Sequence, residues 1–198
     1  KTDNFEFCCE LKYDGASVNL MYEDGKLLRA LTRGDGTQGD NITNNIKTIR
    51  SVPIKLNNTI LNKFEIRGEI IIRNDSFEKL NRKREKLGEP LFKNPRNTAS
   101  GSIKLLDSDE VARRPLECFL YSIVSDEVKI KNHSELLSIA RKMGFDVPKY
   151  ERVVDGLNGV KDYIDFWDKN KSSLPFEIDG IVIKINNIDF QKKLGFTS

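Results

Sequence analysis

Only two residues, Asp24-Gly25, separate the strand-like run Ser17 to Glu23 from the run Lys26 to Thr32. A connection that short joins only antiparallel neighbours, and glycine in second place supplies the positive φ such a turn needs. Phe5 to Lys12 reads as a further strand ahead of this hairpin, so the chain opens as an antiparallel sheet. Phe64 to Arg73 then alternates, with Phe64, Ile66, Ile70 and Ile72 on one face and Glu65, Arg67 and Glu69 on the other. Cys118 to Val124 and Glu177 to Asn186 also read as strands. Helices fall between them. Asp40 is placed to cap a helix through Ile49, and Asp75 with Glu78 forms a capping-box pattern for a charged helix to about Leu87. Asn94-Pro95 reads as an N-cap followed by proline at the first helical position, with helix toward Leu106. Ser134 to Met143, closed by Gly144, and Asn158 to Asn170 complete the helices. Strands in hairpin-like runs, without regular βαβ units, predict an α+β fold of antiparallel sheets flanked by helices.

Hydrophobic residues at 38% and charged residues at 32% exclude collagen-like, disordered and membrane-embedded classes. The net charge of +3 permits contact with nucleic acid without predicting it. His133 is the single histidine, which excludes a multi-histidine metal centre; preceding a helix, it reads as a surface or cap residue. Cys8 and Cys9 are adjacent on a strand and must face opposite ways, Cys118 stands alone, and no zinc spacing exists. Three thiols without a pairing pattern read as a reducing, cytoplasmic setting. No apolar run reaches the ~18 residues of a membrane span. The chain starts at Lys1 without a leader and stops at Ser198, just after Leu194-Gly195, so both ends read as cuts.

The segment that carries chemistry is Glu10-Leu11-Lys12-Tyr13-Asp14-Gly15. On a strand, Glu10, Lys12 and Asp14 share one face, and Gly15 lets the backbone turn or approach a ligand closely. The plain reading is an exposed polar face. The alternative is a nucleophilic lysine; a free lysine amine titrates near ~10.4, so it needs desolvation or a second cation nearby to act at neutral pH.

This hexapeptide resembles the first motif of the covalent nucleotidyltransferases, which include DNA ligases, RNA ligases and mRNA capping enzymes. Four more stretches follow: Thr32-Arg33-Gly34-Asp35-Gly36, Arg67-Gly68-Glu69, Asn94-Pro95-Arg96-Asn97-Thr98-Ala99-Ser100-Gly101-Ser102, and Glu177-Ile178-Asp179-Gly180-Ile181-Val182-Ile183-Lys184. In order and spacing they resemble the adenylation domain of NAD-dependent bacterial DNA ligases over essentially all 198 residues. Residues 1–198 would be the core of that domain, truncated at both ends. ATP-type relatives usually place an arginine two residues after the motif's glycine, where Ser17 stands here.

The resemblance implies that Lys12 attacks the α-phosphorus of NAD and holds AMP, which then passes to the 5′-phosphate of nicked double-stranded DNA in replication and repair. Glu10 resembles the residue that accepts a hydrogen bond from adenine, Arg33 a ligand to ribose or phosphate, Glu69 the acid on the ribose hydroxyls, and Lys184 a phosphate-binding lysine that would also lower the nucleophile's pKa. Asp14 and Gly15 would shape the loop below the nucleotide. Arg96 and Lys104, eight apart near one helix, could face the DNA backbone or the nicotinamide-mononucleotide phosphate; Lys104 stands where the family often has arginine. Asp179 matches an important family position, but alternation assigns it no role. The resemblance further implies Mg²⁺, with no residue assigned as its ligand, zinc only in other parts of the parent, a monomer, and no ligation by this portion alone. An ATP-dependent nucleic-acid ligase, or a non-catalytic nucleotide- or DNA-binding module, remain the alternatives. The charged helix Lys79 to Lys86 reads as a solvated face, and Tyr163, Ile164, Phe166 and Trp167 as core packing.

Overall fold

A computed structural model describes residues 5–34, 39–57, 59–127 and 129–195. Asp35 and Gly36, the end of the second motif, lie outside them. Two antiparallel sheets carry the fold. The first joins β1 (Glu6–Tyr13), β6 (Arg152–Asp155) and β7 (Ile178–Ile185) in the order β6-β1-β7. The second joins β2 (Ala16–Glu23), β3 (Lys26–Thr32), β4 (Lys63–Ile71) and β5 (Glu117–Val124) in the order β3-β2-β4-β5. Asp24 and Gly25 both take positive φ, 46° and 72°, and close the hairpin between β2 and β3.

Only Asp14 and Gly15 separate β1 of the first sheet from β2 of the second. A β-carbon on Gly15 would collide with the backbone carbonyl of Ile70 on β4, so this crossing demands glycine. The larger core lies against the second sheet and gathers Leu20, Tyr22, Phe64, Ile66 and Phe145 with α5 (His133–Lys142). The smaller core packs Cys9 and Leu11 of β1 against Val160, Tyr163 and Trp167 of α6 (Gly156–Asn170) and takes in Phe119 of β5. Cys8 and Cys9 therefore enter different cores, as adjacent strand residues must.

Three helix expectations fail for local reasons. Asp40 does not cap a long helix: its N–H bonds the Thr32 hydroxyl at 2.9 Å, its carbonyl accepts from Thr32 N–H, and its carboxylate pairs with Lys104 at 2.9 Å. These bonds hold Asp40 beside β3, and α1 covers only Thr43–Ile46. The Asp75/Glu78 capping box does not form, because α2 (Asn74–Lys86) already starts at Asn74; Asp75 pairs with Lys79 and Glu78 with Arg82 inside the helix. In α3 (Pro95–Ser102) the Asn94 side chain does accept from Asn97 N–H at 2.7 Å. The helix nonetheless stops short of Leu106, since the Asn45 amide captures the carbonyls of Ile103 and Leu105 at 2.9 and 2.8 Å. Short α4 (Ser108–Ala112) and α7 (Ile188–Leu194) complete the described α-helices, and a 3₁₀ turn covers Lys171–Ser173. No helix among the described residues is long and apolar enough to cross a membrane.

Candidate active site

One face of the first sheet forms the floor of the site. Cys8, Glu10 and Lys12 of β1 lie opposite Lys184, Val182 and Gly180 of β7, and directly paired residues of an antiparallel sheet share a face. Alternation puts Glu10 and Lys12 on that face, and the β1–β7 register, which alternation does not reveal, adds Lys184.

Asp179 escapes that logic because of a bulge. Lys12 pairs with Gly180 and Tyr13 with Ile178, so Asp179 is the extra residue. Gly180 takes φ 140°, a conformation that L side chains rarely adopt. The bulge re-aims the Asp179 carboxylate onto the half-exposed Lys12 ammonium, 2.5 Å away. Lys12 and, less strongly, Arg96 hold the Asp179 carboxyl below its usual range. Arg96, at the start of α3, donates to Asp14 at 2.9 Å and stands 4.0 Å from Asp179. Lys12, Asp179, Arg96 and Asp14 thus form one alternating network at the junction of the two sheets.

Glu69 faces this network from β4. Burial pushes its carboxyl up, against a 2.8 Å hydrogen bond from the Ser17 hydroxyl and the charges of Arg96 and Lys12, which pull it down. Tyr121 on β5 links the two ends of the floor. Its carbonyl accepts from Lys184 at 3.4 Å, and the Lys184 ammonium lies 5.7 Å from its ring centroid. Burial raises the phenol's pKa, Glu69 adds to the rise, and Ser17, Arg67 and Arg33 oppose it. Arg33 is exposed just beyond β3, tied by its backbone N–H to Ser17 at 3.2 Å. Lys104 is not brought to the site: it stands beyond the end of α3, paired with Asp40, so it does not share a helix face with Arg96.

At the other end Glu10 is only 6% exposed and His133 only 3%, which overturns the reading of His133 as a surface or cap residue. His133 Nε2 lies 2.7 Å from Glu10 Oε1, and Lys184 Nζ approaches the same oxygen at 2.8 Å. Burial alone would raise the Glu10 carboxyl, but His133 and Lys184 outweigh it and hold it below its usual value. Glu10 therefore does not pair with Lys12. Nor does Lys184 stand over Lys12, the expected nucleophile: its strand partner is Cys8, four residues from Lys12, or ~13 Å along the strand.

Cys8, Glu10 and His133 offer ligand atoms within 4.8 Å of one another. The Lys184 ammonium stands among these groups, and burial together with Glu10 pushes the Cys8 thiol up to about 12, so the cluster is an ion-paired core and not a cation site. The sequence marks His133 only by its being the sole histidine, and it marks Tyr121 only as one aromatic residue in a strand.

Residues 1–198 match the family described as the NAD-dependent DNA ligase adenylation domain. The DNA ligase of Flavobacterium psychrophilum is 54% identical over 193 residues, 98% of this chain and 29% of its own length. That of Phocaeicola vulgatus is 49% identical over 197 residues, 99% of this chain and 30% of its own. The chain thus spans less than a third of the length of these curated relatives. Among solved structures, one named Pmar-Lig_Pre superposes with a TM-score of 0.54 over 91% of this chain and 38% of its own, at 12% identity, a likeness of fold.

Proposed function

The chain belongs to the NAD-dependent DNA ligase adenylation domain family, and from that premise we propose that Lys12 is the nucleophile of a ligase that uses NAD to seal nicked double-stranded DNA. The observation that carries this reading is the single polar floor that holds an acceptor–donor pair, Glu10 and Lys184, two strand residues from a half-exposed lysine. A carboxylate beside an ammonium complements the edge of adenine, where the N6 amino group donates and the adjacent N1 accepts. Lys184 supports base contact better than the phosphate role its motif implies, because it stands beside Glu10 and away from Lys12.

With the base at Glu10, the α-phosphate lies toward Lys12. The half-exposed Lys12 ammonium must give a proton to solvent and leave Asp179 before its nitrogen attacks. An N–P bond then forms and the phosphoanhydride P–O bond breaks, with nicotinamide mononucleotide leaving with the bonding electrons. In this reading Arg96 takes phosphate oxygens, which compete with Asp14 and Asp179 for its guanidinium. Glu69 takes the ribose hydroxyls, and Arg33 lies at the rim of the same groove. In the whole protein, AMP passes to the 5′-phosphate at a nick and the 3′-hydroxyl displaces it. The parent acts as a cytoplasmic monomer in replication and repair.

Magnesium is implied by the family resemblance. Around Lys12 the carboxylates already face cations, Asp179 through Lys12 and Arg96 and Asp14 through Arg96. The Cys8, Glu10 and His133 set mixes sulfur and imidazole with one carboxylate, an ill match for a hard oxygen-seeking ion. The described residues do not fit a resident magnesium site.

The test is intact mass spectrometry of the full-length parent after exposure to NAD and Mg²⁺. The expected result is a gain of one AMP that Lys12→Ala abolishes. A gain that persists in Lys12→Ala, or no gain in the wild type, overturns the assignment.

A further inference from the structure

We propose that His133 is a positioning residue that fixes the polarity of the Glu10–Lys184 pair, making the site select a base with an amino group over one with a carbonyl at the same position. The inference rests on the reading above that this pair meets the edge of the base.

His133 is anchored by the strand that carries Lys184. Its backbone N–H donates to the Asn186 carbonyl at 2.7 Å, and the Asn186 side-chain oxygen accepts from Ser134 N–H at 3.1 Å. The end of β7 thus clamps the first turn of α5, and the ring can hardly move relative to Lys184. Around the ring, Nε2, Glu10 Oε1 and Lys184 Nζ form a triangle with sides of 2.7, 2.8 and 3.1 Å. An ammonium only donates and an ionised carboxylate only accepts. A bare Nε2 would set its lone pair against Oε1 at 2.7 Å, so we place the proton on Nε2, which donates to Oε1; the Lys184 ammonium 3.1 Å away is then held by the shared carboxylate and makes no hydrogen bond to the ring. Among the described residues Oε2 accepts no hydrogen bond, which leaves it for the ligand.

That arrangement has a consequence for recognition. Without the imidazole, Glu10 and Lys184 could rotate about each other and present donor and acceptor in either order. Hypoxanthine needs the reverse order, because its carbonyl accepts where the adenine amino group donates. With one carboxylate oxygen held by His133, the order is fixed, and the wrong base leaves buried polar groups facing like partners.

The experiment uses the full-length protein and compares NAD with nicotinamide hypoxanthine dinucleotide in formation of the Lys12–nucleotide adduct. The variants are His133→Leu, which removes the donor, and His133→Gln, whose amide nitrogen can donate to Glu10. Wild type is expected to prefer NAD. His133→Leu should shrink that preference about tenfold or more, the scale of one hydrogen bond to a charged group, through a higher KM for NAD with kcat little changed. His133→Gln should restore it. An unchanged preference in His133→Leu, or equal loss with both donors in both variants, overturns the proposal. If His133→Leu does not fold, His133→Asn, whose amide is too short to reach Oε1, takes its place against His133→Gln. Absence of any wild-type adduct overturns the adenylation reading and the inference together. An adduct formed equally from both donors leaves the nucleophile standing and removes base selection by this pair.

Discussion

Glu69 carries a carboxylate that the fold holds at a cost. Burial raises its pKa, and the Ser17 hydroxyl, Arg96 and Lys12 compensate only in part. When a folded-state acid titrates above its unfolded value, the native state binds more protons in between, and stability falls as pH rises from the ordinary glutamate range through the raised one. Above that window the penalty is present in full. Glu69→Gln keeps an acceptor for Ser17 and removes the charge. We expect it to melt higher than wild type at neutral pH, to lose the advantage at acid pH, and to form less Lys12–AMP; a Tm-against-pH series for both proteins checks the sign. At this scale the sequence was informative where contacts follow strand parity, since Glu10 and Lys12 could be put on one face by counting, whereas Lys184 joins them only through the register of β1 and β7. It misled on His133, read as a surface or cap residue, because that ring meets Glu10 across 123 positions and has no local pattern to mark it.

Asp179 belongs to the next scale, because an element and not a side chain decides where it points. The bulge depends on φ 140° at Gly180, and an L side chain there is strained by about 1–3 kcal/mol even though a β-carbon would meet nothing within 4 Å. Gly180→Ala is therefore expected either to lose that much stability, and so melt lower, or to relax into regular pairing, which would turn Asp179 away from Lys12. Adduct formation at saturating NAD separates the outcomes, and unaltered stability with unaltered rate would show the bulge to be dispensable. The same scale explains which elements were readable. Long alternating strands such as β4 announced themselves, and Asn94-Pro95 marked the start of α3. The four-residue β6 and the short α4 and α7 carry too few periods to be seen, and they are held by neighbours distant in the chain. The failed Asp40 helix teaches the same lesson: a good capping residue caps nothing once Thr32 and Lys104 have claimed it.

At the scale of the whole molecule, the active-site floor belongs to one sheet and several of its walls to the other, so the two must be held in register. The smaller core does this with interlocked rings. Tyr13, next to Lys12 on β1, packs edge-on against Phe119 of β5 at 5.2 Å, and Phe176, just ahead of β7, meets both at 5.6 and 5.1 Å. The larger core has its own aromatic group at the far end of the second sheet, where Tyr22 stacks on Phe64 at 5.2 Å and Phe145 packs across them. Truncating Phe119 or Phe64 to alanine removes a buried ring in either case and should cost about 3–5 kcal/mol. The two losses should differ in what they do to chemistry. Phe119→Ala frees the joint between the sheets, so Lys12 and Asp179 can drift from Glu69 and Arg96 while the protein is still folded. Phe64→Ala weakens a region that touches none of these groups. Measured well below both melting transitions, the rate of Lys12–AMP formation should fall in Phe119→Ala and hold in Phe64→Ala at matched loss of stability. Equal rates in the two variants would mean that the sheets are held in register by the Asp14-Gly15 crossing itself and not by the aromatic joint.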